Sequence, residues 1–359
     1  MNPEPMHTNL DKNCSDVTGT SDKTVFIGSG FGPAGRPGMT NVVWRPGCEG
    51  AKDARKLATA AMIDTARVFA PAKINLYLHV LGRRADGYHL LDSLVAFADI
   101  GDWLSAAPAD ALSLTVSGPE GGALAGLGDD NLVLKAAHAF AAHHGVAAGA
   151  ALHLDKQLPA ASGIGGGSSD AAATLRALAA LWAQPIDEAA MRIAASLGAD
   201  VPSCLDGRPV WVGGIGERLD PLPGLPPVGV VLANPRRELP TAAVFRARQG
   251  DFTTDQFVRT TPRHAVGLFG LLRQCRNDLT DAACGLMPEI ATVLDRLAAL
   301  PVVYLSRMSG SGATCFALFA DRAAAERAAA LLAAAEPGWW VRAGTLLSTA
   351  PEIQKVPPP

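Results

Sequence analysis

The residues best suited to chemistry run from Leu158 to Asp170, Leu158-Pro-Ala-Ala-Ser-Gly-Ile-Gly-Gly-Gly-Ser-Ser-Asp. Gly163, Gly165, Gly166 and Gly167 carry no Cβ, so their backbone N–H groups can close around an anion. A helix starting near Ser169 would add the positive end of its dipole and several unpaired N–H groups. Ser168 and Ser169 supply hydroxyls, either as donors or as a metal ligand. The composition suits a triphosphate. A flexible turn is the alternative reading of any glycine cluster, and the place of this one between a strand and a strong helix favours phosphate. No G-x-x-x-x-G-K-[ST] loop occurs, and the His-Arg-Asp and Asp-Phe-Gly signatures of protein kinases are absent.

Three further features could serve phosphoryl transfer. Asp200, in Leu197-Gly-Ala-Asp-Val-Pro, could orient an acceptor hydroxyl and take its proton. It could equally cap the turn ahead of Pro202, and spacing alone favours the cap. Lys73 and Asn75 share the polar face of a strand whose other face is Ile74, Leu76, Leu78 and Val80. Lysines are mostly solvated surface charges, but one beside an asparagine on an otherwise buried strand is less usual. Ser309-Gly-Ser-Gly-Ala-Thr is a second small-residue loop. It is either an ordinary hairpin or a place where another backbone approaches the phosphates.

These residues need elements to hold them. The alternation at Lys73–Val80 predicts a half-buried strand, and Arg83–Gly87 predicts a turn into a second strand at Leu90–Ala98. A helix is expected from Asp130 to about Phe140 and a short strand at Leu152–Asp155. After the glycine loop comes a helix over Ala171–Trp182, with Ser168, Ser169 and Asp170 as capping candidates. Another helix spans about Asp187–Leu197 and stops at Gly198. Four prolines in Asp220–Pro227 mark a domain junction. Beyond it a strand (Val228–Ala233), helices near Leu268 and Met287–Leu300, a hairpin across Ser309–Gly312, a helix (Asp321–Ala335) and a strand (Trp340–Leu347) predict an α+β domain with helices on one sheet face.

Bulk properties narrow the classes. The 359 residues suffice for two domains, and 48% hydrophobic with 18% charged residues is globular composition. A net charge of −3 leaves no basic footprint for nucleic acid. The six cysteines lie far apart without zinc spacing, which reads as reduced thiols in a cytoplasmic protein. The first residues show neither the basic nor the apolar region of a secretory signal, and the charge-free run Ala136–Leu154 reads as helix, turn and strand rather than a membrane span. Residues 1–61 show no sustained period and are expected to be a disordered extension; their GSGFGPAG stretch opens no helix and reads as linker.

Pro71-Ala-Lys-Ile-Asn-Leu, the glycine loop and Met308-Ser-Gly-Ser-Gly-Ala-Thr resemble the three ordered motifs of the GHMP kinase superfamily. With Arg84-Ala-Asp-Gly-Tyr-His and Leu197-Gly-Ala-Asp-Val-Pro, the chain over about residues 66–348 is similar to the branch whose substrate carries a cytidine diphosphate, in non-mevalonate isoprenoid biosynthesis. The resemblance implies an α+β, two-domain kinase fold. Residues 62–220 would form an N-terminal domain like the second domain of ribosomal protein S5. Residues 221–350 would form a ferredoxin-like C-terminal domain, and 351–359 a tail.

It also implies roles. Asp200 would be the base and Lys73 its cationic neighbour at the acceptor hydroxyl, with Asn75 positioning the acceptor. Pro159, Ala160, Ala161, Ser162, Gly163, Ile164, Gly165, Gly166, Gly167, Ser168 and Ser169 would bind ATP together with Asn131 and Lys156. Tyr88 would stack on the cytosine, His89 would hydrogen-bond to it, Phe245 would close its other side and Thr241 would stand nearby. ATP is the expected donor with Mg2+, for which Ser168 or Ser169 is a candidate ligand. The partner is a small molecule, neither nucleic acid nor membrane, acted on by a monomer or homodimer. Homoserine, mevalonate and sugar kinases of the superfamily have no cytosine to sandwich, and a non-catalytic member would not need Lys73, Asp200 and the loop together.

Overall fold

The computed structural model describes residues 65–124, 128–147, 149–254 and 259–355, all within one compact unit, Val42–Pro359. Residues 1–61, with the GSGFGPAG stretch, lie outside the described residues. In chain order the elements are β1 (Ala66–Arg83), β2 (His89–Ala109), β3 (Ser113–Ser117), α1 (Leu132–His144), β4 (Gly149–Asp155), α2 (Gly166–Leu181), α3 (Glu188–Leu197), α4 (Val201–Asp206), β5 (Val210–Gly214) and β6 (Arg218–Pro221). There follow β7 (Gly229–Asn234), α5 (Thr241–Ala247), α6 (Ala265–Arg273), α7 (Thr280–Leu286), α8 (Glu289–Ala298), β8 (Leu305–Met308), β9 (Cys315–Phe319), α9 (Arg322–Ala335), β10 (Trp340–Thr345) and β11 (Ile353–Lys355).

A first sheet has the order β11-β1-β2-β4-β3, with β5 and β6 continuing from the front half of β2. The turn joining β1 and β2 closes through Arg84 N–H to Tyr88 O (2.7 Å) and Gly87 N–H to Arg84 O (3.0 Å). Gly87 supplies the positive φ of 91° that this turn requires. A second, antiparallel sheet has the order β10-β7-β9-β8. Its alternation is regular. Val231, Ala233, Ala317 and Phe319 face the helical core of α7, α8 and α9. Val230, Leu232, Phe316 and Leu318 face the other way, into a core shared with Ile74, Leu76, Leu94 and Ala96 of the first sheet. The helices on one face and the strand order are those of a ferredoxin-like domain.

That shared core changes one expectation. The period-2 pattern of β1 predicts one wet face, yet every residue from Ala70 to Val80 is buried. The α1–α2 layer covers one side near Val68, Ala70 and Phe97, and the second sheet covers the other. Register shifts between Pro71 and Lys73 and between Asn75 and Tyr77 also interrupt the alternation. Lys73 and Asn75 are therefore buried polar groups, and each needs a partner.

Helix starts differ from expectation by a few residues. α2 begins at Gly166, because Gly165 takes a left-handed N-cap conformation (φ 63°). Ser168, Ser169 and Asp170 thus sit inside the first turns and are not caps. α1 begins at Leu132, with Asn131 Oδ1 accepting from Val133 N (2.9 Å). α3 begins at Glu188, close to the expected start, with Asp187 as its N-cap accepting from Ala189 and Ala190 N–H. The short elements α4, α5, α7, β3, β5 and β6 were not foreseen. Nor was β11, which takes residues 353–355 of the expected tail back to pair with the start of β1.

Candidate active site

The glycine loop is fixed by its carbonyls. Thr314 N–H donates to Ser162 O (3.0 Å), Ser309 Oγ to Gly163 O (3.2 Å) and Lys73 N–H to Ile164 O (2.9 Å). In a trans peptide the N–H points opposite to the C=O, so the amides of Gly163, Ile164 and Gly165 face away from these anchors. They continue into the start of α2, whose first amides have no partner within the helix, the arrangement by which a helix start can take an anion. Gly163 adopts φ 76°, and a Cβ there would fall 2.4 Å from Gly312 O. Only glycine fits. Ser162 Oγ turns inward to Pro159 O (2.7 Å), and Ala161 takes a positive φ of 48°.

The second small-residue loop is therefore packed on the first. Ser309 Oγ, besides donating to Gly163 O, accepts from Asn75 N–H at 3.1 Å. The loop is the hairpin between β8 and β9, with Met308 paired to Cys315 and Ser309 N–H donating to Thr314 O (3.0 Å), and its serine lies on the backbone of the glycine loop.

Lys73 Nζ lies 2.7 Å from Asp200 Oδ1, with the lysine side chain 6% and the aspartate 49% exposed. The lysine stem runs against Gly165, where a Cβ would come within 3.1 Å of Lys73 Cβ. Asp200 does occupy the N-cap position of α4, but its side chain makes no capping hydrogen bond. Its backbone carbonyl takes Cys204 N–H and the Ser203 hydroxyl, while its carboxylate turns to Lys73. The carboxylate thus pairs with Lys73 and does not serve as the cap that its spacing favoured. Asn75 donates to Ser93 Oγ (2.8 Å), and its Oδ1 is buried without a hydrogen-bond partner among the described residues. That orphaned acceptor lies close to Gly310, whose missing Cβ would sit 3.4 Å away.

A second cluster joins the β1–β2 turn to α5. The rings of His89 and Phe245 stack at 5.1 Å between centroids and 28° between planes. Burial, then the charges of Arg83 and Arg248, hold the His89 pKa below its ordinary value, so its ring favours the neutral form. Tyr88 is 61% exposed at the turn. Thr241, one helical turn before Phe245, shares a 2.8 Å hydroxyl contact with Ser311 of the second loop.

Lys156, expected at ATP, is 2% exposed beneath the loop between two carboxylates, Asp102 Oδ2 (2.5 Å) and Asp170 Oδ2 (2.6 Å). Burial works against its charge, but the carboxylates more than reverse this and raise its pKa. Asp102 Oδ1 also accepts from Gln157 N–H (2.5 Å) and Leu158 N–H (2.8 Å), gripping the start of the loop. Burial pushes the Asp170 carboxyl up to about 8; Lys156 opposes that shift and Asp102 adds to it. Asp102 has no local signature in the sequence; only the pairing of β2 with β4 brings it here. Of the two serines proposed for a metal, Ser169 is buried and donates to Pro71 O (2.6 Å), whereas Ser168 is half-buried on the first turn. No cluster of three or more His, Cys, Asp or Glu could hold a metal among the described residues.

A glycine loop opening a helix, a lysine–carboxylate pair beside it and a two-domain α+β fold are the features of a small-molecule kinase of the GHMP class. Residues 131–208 match the GHMP kinases N terminal domain and residues 264–336 match GHMP kinases C terminal. The 4-diphosphocytidyl-2-C-methyl-D-erythritol kinase of Paramagnetospirillum magneticum is 52% identical over 280 residues, spanning 78% of this chain and 98% of that protein. The enzyme of the same name from Rhodospirillum rubrum is 50% identical over 279 residues, 77% of this chain and 91% of that one. A crystal structure of 4-(cytidine 5'-diphospho)-2C-methyl-D-erythritol kinase superposes with a TM-score of 0.64 at 38% identity, covering 78% of this chain and 98% of that one. Homoserine kinase from Cytophaga hutchinsonii reaches a TM-score of 0.61 over 82% of this chain and 99% of that one, but at 20% identity it shares the fold alone. The chain belongs to the 4-diphosphocytidyl-2-C-methyl-D-erythritol kinase family. No helix among the described residues is long and apolar enough to cross a membrane.

Proposed function

We propose that this chain transfers the γ-phosphoryl group of ATP to the 2-hydroxyl of 4-diphosphocytidyl-2-C-methyl-D-erythritol, in non-mevalonate isoprenoid biosynthesis. The observation that carries the mechanism is the Lys73–Asp200 pair set against Gly165, at the end of the glycine loop. The triphosphate lies on the amides of Gly163 to Gly165 and the start of α2. Asp200 takes the hydroxyl proton as the oxygen bonds to the γ-phosphorus and the bridging oxygen leaves with ADP. Lys73 holds the carboxylate in place and offsets charge on the transferring group. Asn75 Oδ1, the orphaned acceptor, takes a hydrogen bond from an acceptor hydroxyl. Catalysis rests on positioning and electrostatics, with no covalent enzyme intermediate.

Tyr88, His89, Phe245 and Thr241 form the cytidine site. The neutral His89 ring can both donate to and accept from a base edge, and the ring of Phe245 offers an apolar face. His89 and Phe245 now touch, so the base takes its place by parting them or by lying beside the pair. Asn131 and Lys156 serve ATP indirectly, through the start of α1 and the floor of the loop. The half-buried Ser168, rather than Ser169, would be the protein hydroxyl to hold a Mg2+ brought with the triphosphate, which would supply neutralisation of phosphate charge. The enzyme works in the cytoplasm as a monomer or homodimer, with domains over 62–220 and 221–350. Phosphorus NMR of the product tests the regiochemistry: a new monoester on the 2-oxygen is expected, and phosphate on any other oxygen would refute the placement of Asp200.

A further inference from the structure

We propose that Asn277 is a positioning residue for phosphoryl transfer, setting the 309–312 loop and through it both the glycine loop and Asn75. The side-chain hydrogen bonds of Asn277 are all to backbone. Its side-chain amide donates to Met308 O and Gly310 O, both at 2.8 Å, and its Oδ1 accepts from Leu279 N–H at 3.0 Å. The two carbonyls flank Ser309, so the amide holds the loop on either side of the serine that reaches Gly163 O and Asn75 N–H. The side chain is buried and every strong donor and acceptor it owns is used.

The anchor itself is firm. Leu78 N–H donates to Arg276 O (3.0 Å) and Asp278 N–H to Leu78 O (2.9 Å), so residues 276–278 lie as a short parallel bridge along β1. Asp278 Oδ2 then accepts from Val80 N–H (2.8 Å) and Thr253 Oγ1 (2.6 Å). The buried Arg307 guanidinium donates to Leu76 O, Leu272 O and Cys275 O, sealing the same seam from the side of β8. One strand, β1, therefore carries Lys73 and Asn75 at the site and the footing of Asn277 a few residues on. The 309–312 loop is triangulated between that footing and the glycine loop. Because Gly163 and Gly312 are in backbone contact, a shift of the second loop moves the phosphate amides. A small misplacement of reacting groups is enough to slow transfer by up to about 10²-fold.

This inference rests on the kinase reading above, and its test separates the two. Asn277→Asp keeps the shape but cannot donate to carbonyls, and Ser309→Ala removes the hydroxyl without adding volume. With the parent active, each variant should lower kcat, measured per folded molecule, about tenfold or more while KM for ATP changes less. The double variant should be no worse than the poorer single, since both act through one loop. Should Asn277→Asp fail to fold, Ser309→Ala still decides, because its loss of kcat must appear at a melting temperature near the parent's. Parent-like kcat in a folded variant, or losses that simply add, would overturn the proposal. An inactive parent would instead count against the kinase reading.

Discussion

Replacing Asp200 by Asn removes the proposed base while keeping its shape. A positioned general base contributes roughly 10²–10⁴ in rate, which at 1.36 kcal/mol per decade is about 3–5 kcal/mol of transition-state stabilisation. The ion pair lost with it has a gross attraction of about 6 kcal/mol at the observed 2.7 Å in an effective dielectric of about 20. The carboxylate is 49% exposed, however, so water recovers most of that and the net stability cost is about 1 kcal/mol. Melting should fall by only about 2–4 °C. Asp200 lies outside the glycine loop, so the expected signature is kcat down by about 10²-fold or more with KM for ATP nearly unchanged. Coupled ADP-release kinetics at saturating ATP, beside a melting curve, read all three quantities. A kcat within about threefold of the parent would leave Asp200 as no more than the partner of Lys73. A KM for ATP that rises as far as kcat falls would mean that the pair shapes the loop instead.

Gly163→Ala places a Cβ 2.4 Å from Gly312 O at φ 76°, so KM for ATP should rise at least about tenfold; near-parent ATP kinetics would show that the two loops part freely. Lys156→Met leaves the buried carboxylates of Asp102 and Asp170 without their cation, and unfolding free energy should drop by about 3–5 kcal/mol in urea titrations. Intact stability with a raised KM for ATP would instead make Lys156 a direct nucleotide contact. The His89 pKa is lowered in the folded state, so its neutral ring contributes fully above the ordinary value of 6.5 and is lost as pH falls through the window below it. KM for the cytidine-bearing substrate should therefore be level from about pH 8 down to 6.5 and climb only below that, with His89→Asn flattening the climb. A climb that begins above 6.5, or persists in the variant, would assign it to another group.

The parts of the site legible in the sequence are those whose chemistry is local. Glycines that permit positive φ, a helix that follows them and a lysine on an alternating strand are written within a few residues of one another. What escaped depends on distant packing. The half-buried reading of β1 could not include residues about a hundred positions and more later that cover its polar face, Ile164, Gly165 and Asp200 at Lys73 and Ser309 and Gly310 at Asn75. Asp200 has the spacing of a cap, and only the approach of Lys73 turns its carboxylate away. Lys156 was placed at ATP by resemblance, whereas Asp102, 54 residues before it, holds it under the loop. The start of α2 moved because Gly165 bends left-handed and lets the helix begin at Gly166. Short helices such as α4 and α5 carry too few turns to leave a periodic signal. α5 nevertheless brings Phe245 to His89 across the molecule.

In the proposed reaction the glycine loop holds the donor, Lys73–Asp200 stand at the transfer and the His89–Phe245 cluster holds the cytidine of the acceptor. ADP release measured with Mg-ATP and 4-diphosphocytidyl-2-C-methyl-D-erythritol, beside homoserine and mevalonate, tests it most directly. Turnover with the cytidine compound and none with the other two is the expected result. Turnover with homoserine or mevalonate but not with the cytidine compound would contradict it.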